Sequence, residues 1–231
     1  MMTYLFLRPL ASKSVFIVCW AVCLVRAYQF FFSDTAYLPV NYYSIMPIGL
    51  TVFVFVPLFA LPISHVVSIF TNIGVIVRIK DSISHIFRYC GLVFLIAMVY
   101  TLVLNITVFL ILAAHGKPVF ENSALLATTV VAQIIFFLIC ALLFYFVHTI
   151  TRKSYLACIA LFCYVVWDYL ILFIPARLPA IGWGLTQFSF DYPNYAEALA
   201  HCSLLVCVLI VLVLLSALAL HRQERLESPG V

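Results

Sequence analysis

The sequence predicts an all-α polytopic membrane protein: six transmembrane helices, with an amphipathic cytoplasmic helix between the second and third. Three observations carry this prediction. Hydrophobic residues make up 67% of the 231 and charged residues only 9%, against roughly half and about a quarter in an average soluble domain. A water-soluble fold with so few charges would expose large apolar patches. The apolar residues gather into six runs of the length needed to cross the hydrocarbon core, roughly 20 residues of helix. These runs are continuously apolar and lack the alternation of a transmembrane β-strand. The composition also excludes a disordered chain, a nucleic-acid binder and a secreted disulfide scaffold, and a formal net charge of +4 is too small to call for a polyanionic partner.

The first span is predicted over residues 14–32. Its run from Val15 to Val25 has signal-peptide length, and Val25-Arg26-Ala27 resembles a cleavage site, but Phe30-Phe31-Phe32 restores spanning length and argues for retention. The second span, 45–64, contains Pro47, Pro57 and Pro62. The last two remove backbone hydrogen bonds in its inner half and can kink it. The inner loop 65–89 follows. Its apolar residues Val66, Ile69, Phe70, Ile73 and Val77, then Ile79, Ile83, Ile86 and Phe87, recur at three- and four-residue steps between polar ones. That pattern suits a helix lying along the inner membrane face or docked on a partner.

The third and fourth spans, 90–114 and 123–147, carry Asn105 and Gln133, amides suited to hydrogen bonding between helices. The fifth covers 155–175. An outer loop, 176–197, is dense in aromatics beside Gly and Pro, as a segment folded on the interface would be. The sixth covers 198–220. Residues 1–220 are thus one transmembrane domain, and 221–231 form a short cytoplasmic tail expected to fray.

Orientation follows from Lys and Arg. With the N-terminus in the cytoplasm, the inner segments hold nine (Arg8, Lys13, Arg78, Lys80, Arg88, Arg152, Lys153, Arg222, Arg225), and the outer side holds three (Arg26, Lys117, Arg177). Cationic loops stay inside, so both termini are assigned to the cytoplasmic side of the cell membrane.

Motifs for catalysis are missing from the sequence: no GxxxxGK[ST] loop, no HExxH and no GxSxG. No catalytic, metal or cofactor-binding residue is assigned, and the chain is not expected to be an enzyme. The eight cysteines lie in or beside apolar runs without a CxxC pair, as small packing residues do. The six histidines fall in loops or at span ends, where they are expected to remain solvated. Arg26 and Asp168 are the ionisable residues within the spans. Each is placed about 10 Å inside the outer boundary, counting 1.5 Å per residue. Equal depth and the cost of isolated charge in hydrocarbon suggest an Arg26–Asp168 ion pair.

Six spans, both ends inside, a long amphipathic inner loop and a long outer loop before the last span resemble the membrane subunit of a type-2 ATP-binding-cassette (ABC) transporter. The arrangement is similar to the small permeases of bacteriocin or lantibiotic export and immunity. The likeness in sequence rests on the inner loop from Asn72 to Ser82, with Gly74, Arg78 and Ser82 at the family's Gly, basic and Ser/Arg places and Arg88 before the next helix. Thr71-Asn72 stands where many members carry Glu. The resemblance implies that this loop, with Gly74, Arg78, Lys80, Ser82 and Arg88, grips a separate ATPase subunit on which ATP is bound. It further implies pairing with an identical or different permease in the lipid bilayer. Two other readings remain open, a substrate-binding membrane subunit of a vitamin transporter and a non-transporting membrane immunity or scaffold protein.

Overall fold

The computed structural model of the chain describes residues 51–72, 82–114, 123–171 and 195–227, together with Ala21; side chains are described over 52–72, 83–106, 130–167 and 202–222, with Ala21, Leu110 and Leu170. Almost all of the described residues are helical, and none is in a strand. A π-helical turn, Thr51–Phe55, leads into α1, Val56–Phe70. Then come α2, Ser82–Ala114, and α3, Ser123–Thr151. The last two are α4, Ser154–Ile171, and α5, Tyr195–Glu227.

Four helical segments are long and apolar enough to cross a membrane: Val52–Phe70, Ile83–Ile106, Val130–Thr151 and Cys202–Arg222. They coincide with the second, third, fourth and sixth expected spans. At the expected fifth span stands α4, whose apolar part Ser154–Trp167 is shorter. The expected first span lies outside the described residues apart from Ala21, which is helical and exposed.

The amphipathic inner helix expected at 65–89 needs correction, because most of that stretch belongs to its neighbours. Val66, Val67 and Phe70 are buried on the last turns of α1, and His85, Ile86 and Tyr89 on the first turns of α2. Over 66–70 and 83–87 the three- and four-residue spacing is that of the spans continuing. Polar residues do not end α1, because its own carbonyls take them up: Ser64 Oγ donates to Leu61 O at 2.7 Å and Ser68 Oγ to His65 O at 2.7 Å. The helix stops at Thr71, whose hydroxyl donates to Val67 O at 2.8 Å. Residues 73–81, between the two helices in the sequence, lie outside the described residues. The expected frayed tail is likewise helical through Glu227, its Gln, Glu and Arg being good helix formers.

Pro57 and Pro62 act at different places. Pro57 falls in the first turn of α1, directly after the π-turn. A wider turn there accommodates a ring that cannot donate to the carbonyl four residues back. Pro62 lies inside α1 and is buried.

α1 and α2 are antiparallel, and so are α2 and α3. Phe70 at the end of α1 meets His85 and Tyr89 at the start of α2, with ring centroids 5.3 and 5.6 Å apart. Tyr89 in turn meets Tyr145 near the end of α3 at 4.4 Å. α3 is the central helix and touches α1, α2, α4 and α5. α5 runs beside it, with Leu205 clustered with Ala132 and Ile139. Among the described side chains of α5 the buried ones are Leu205, Ser216 and Leu220. Its large exposed residues, among them Ile210, Val211, Leu214 and Leu218, suit a lipid-facing surface.

Two residues join α3 to α4. Arg152 has φ +56°, the left-handed region, and its N–H donates to His148 O at 2.8 Å. Thr151 Oγ1 donates to Val147 O at 2.8 Å and accepts from Lys153 N at 3.3 Å. This is a left-handed helix terminus at a position that Gly fills without steric cost. Arg152→Gly is expected to raise stability in micelles by about 0.5–1 kcal/mol, and Arg152→Val to lower it by at least as much. Thermal unfolding of the two variants beside the parent chain checks both signs.

Candidate functional site

The polar groups among the described residues concentrate where α1, α2 and α3 meet. α2 turns Ile86, Tyr89, Val93, Ala97, Tyr100 and Leu104 inward, each buried, in three- and four-residue steps along one helix face. Ala97 is the small member of this stripe, and the two tyrosines are the large ones.

Three contacts tie that stripe to its neighbours. At one end, Tyr89 OH donates to Ala141 O of α3 at 2.9 Å. Further along, Tyr100 OH donates to Phe55 O of the π-turn at 2.8 Å. Its ring packs with Phe59 and Phe137, the three centroids lying 4.7–5.3 Å apart. One turn beyond Tyr100, Asn105 Nδ2 donates to Gln133 Oε1 of α3 at 2.7 Å and to Thr101 O at 2.8 Å. From Tyr89 to Asn105 the seam covers about 24 Å of helix at 1.5 Å per residue, most of a hydrocarbon core roughly 30 Å thick.

Asn105 and Gln133 were expected to serve interhelical hydrogen bonding, and the structure brings them together. Among the residues assigned to partner coupling, Gly74, Arg78 and Lys80 lie outside the described residues. Ser82 opens α2, and Arg88 is exposed on it. Of the ionisable pair, Arg26 lies outside the described residues; Asp168 is in α4, with its side chain outside them.

The histidines and cysteines call for two corrections. His65 and His221 are exposed as expected, but His85 and His148 are buried. Phe70 packs edge-on against His85 at 5.3 Å, and Phe144 lies parallel to His148 at 6.5 Å. Both helices extend past the expected span ends and carry these rings into the aromatic cluster. Cys90, Cys140, Cys158, Cys163, Cys202 and Cys207 are free thiols. Of these Cys140 is a buried packing residue, whereas Cys158, Cys163 and Cys207 are exposed.

Sequence reasoning missed Tyr89, Tyr100 and Tyr145. The signal was present for the first two, because an eleven-residue interval returns to nearly the same face of a 3.6-residue helix. Among the described residues, no three His, Cys, Asp or Glu side chains come together as a metal site would require. The seam satisfies Tyr89, Tyr100, Asn105 and Gln133 within an apolar medium and so fixes the register of three helices.

The chain was compared with protein-family models, with curated proteins and with solved structures, and nothing matches in any of the three.

Since Asn105 and Gln133 share a bond, exchanging either for Leu strands the other's amide. Each single change should lower stability by about 1 kcal/mol. The double change should cost less than the sum of the two, with a coupling of about 0.5–1.7 kcal/mol, the range of such bonds in membranes. Unfolding of the four proteins in mixed micelles measures it.

Proposed function

We propose that this chain is the permease subunit of a type-2 ABC transporter in the cell membrane. It has six spans and both termini in the cytoplasm. In this reading residues 14–32 and α4 supply the first and fifth spans. α4 has 18 residues, at the short end of the range for crossing a bilayer. The chain forms the translocation pathway with a second permease, identical or different, and ATP is hydrolysed on a separate subunit.

The observation that supports the reading most is where the 73–81 connector leaves the bundle. It joins the end of α1 to the start of α2, where Phe70 packs on His85 and Tyr89, and Tyr89 packs on Tyr145 of α3. A partner gripping Gly74, Arg78, Lys80 and Ser82 would act on the point where the three central helices are tied. A push on this loop would then reach the core through packed rings, which are bistable and not continuously deformable. Arg88, exposed on the second turn of α2, adds a further cation close to the connector.

The proposed Arg26–Asp168 pair belongs to this reading as a brace between the first span and α4 on the outer side, where two protomers would meet.

Arg78→Glu reverses a charge on the connector. It is expected to abolish co-purification of the ATPase subunit while the permease still inserts and migrates as the parent does. An Arg78→Glu chain that retains the ATPase would remove the coupling role from this loop.

A further inference from the structure

Cations from three separate parts of the sequence meet at one end of the bundle. Arg88 is on the second turn of α2, Arg152 and Lys153 make the α3–α4 turn, and Arg222 is on α5; all four side chains are exposed. Helix pairing brings them to that end. Tyr89, next to Arg88, packs on Tyr145, about two turns before Arg152. α5 lays Leu205 against the first half of α3, and Leu220 belongs to the main core, so Arg222 comes down beside the end of α3. Asp81, Glu224 and Glu227 flank this end in the sequence, so the cations Arg78, Lys80, Arg88, Arg152, Lys153, Arg222 and Arg225 outnumber the acids by seven to three.

The Arg152–Lys153 turn is the most sharply built part of this rim. The apolar segment Val130–Thr151 ends immediately before it, so its charges stand at the membrane boundary. Arg152 occupies a left-handed position at φ +56°, where Gly would be unstrained. Thr151 fixes the turn from within through its bonds to Val147 O and Lys153 N. Lys153 Nζ lies 5.9 Å from the centroid of the Tyr155 ring. Below the turn, Tyr155, Ile159 and Phe162 are exposed by 57%, 55% and 43%. Their steps of four and three put them on one face of α4, an apolar track running from the boundary into the membrane.

A cationic turn above an apolar track has the form of a phospholipid, phosphate at the boundary and acyl chain below. We propose that the α3–α4 corner binds anionic phospholipid, with Arg152 and Lys153 on the headgroup and Tyr155, Ile159 and Phe162 along an acyl chain. Arg88 and Arg222 extend the same surface for further headgroups, Arg88 by snorkelling from its place about 7 Å inside the Ile83–Ile106 segment. This inference depends on the membrane location of the helices and not on any transport activity.

The test is retention of lipid by the purified full-length chain in detergent, read by native mass spectrometry. Phosphatidylglycerol, phosphatidylcholine and glycerol phosphate are the probes. The parent chain is expected to retain phosphatidylglycerol over phosphatidylcholine and to ignore glycerol phosphate. Arg152→Gln with Lys153→Gln should weaken phosphatidylglycerol retention roughly 25-fold, about fivefold for each cation lost near a charged headgroup, and leave phosphatidylcholine unchanged. Equal retention of the two lipids by the parent chain overturns the proposal, and that comparison stands even if the double variant does not fold. Undiminished phosphatidylglycerol retention by a folded double variant also overturns it. Competition by glycerol phosphate at the same concentration would make this a free-phosphate site and not a lipid site.

Discussion

Apolar side chains gain little by leaving lipid for protein, so helices in a bilayer are held by close fit and by the few polar groups that must find partners. In this chain that constraint falls on the contact between α2 and α3. Tyr89, bonded to Ala141 O, and Asn105, bonded to Gln133, fasten the two helices at points about 24 Å apart. Two fixed points on a pair of rods set both register and direction. Everything else leans on that pair: Tyr100 holds the π-turn before α1 through Phe55 O, and the two-residue Arg152–Lys153 turn folds α4 back onto α3.

The same constraint accounts for what lies outside the seam. α4 and α5 show the bilayer long apolar faces, including Ile159, Phe162, Ile210, Leu214 and Leu218. In water these would be a liability; in hydrocarbon they are the ordinary exterior. Among the described side chains the charged ones, Arg88, Arg152, Lys153 and Arg222, stand exposed at one end. A left-handed Arg at the α3–α4 corner is a local cost carried by the tight turn, and it leaves two consecutive cations at the boundary.

The membrane class and four of the spans were legible in the sequence because hydrocarbon imposes a length and a composition that few other environments do. Element ends were less legible. Ser64 and Ser68 look like a helix terminus, yet each bonds to a carbonyl three residues earlier and lets α1 continue. Much of the amphipathic pattern of 65–89, from Val66 to Phe70 and from Ile83 to Phe87, belongs to two span ends. Inward and outward faces were also hard to separate, since a lipid-facing Leu214 and a core-facing Leu205 are chemically alike. Only residues that hydrocarbon penalises disclosed a face, as Asn105 and Gln133 did. Tyr89 and Tyr100 could have done so by their eleven-residue interval. His85 and His148 could not, because burial of a ring at a span end depends on where the neighbouring helix stops. The coupling residues Gly74, Arg78 and Lys80 rest on resemblance, a matter of pattern and not of physics.

The central claim is that α2 and α3 are antiparallel, with Asn105 facing Gln133. It is tested most directly by cross-linking in native membranes, using a chain cleared of its own cysteines and carrying Cys at positions 105 and 133. A short bifunctional thiol reagent, able to span two side chains in hydrogen-bond contact, should join the pair and produce an internally linked species of altered mobility, whereas a control with Cys at 105 and 150 should remain unlinked. Linkage of the control, or equal and negligible linkage of both, would contradict the register on which this account of the fold stands.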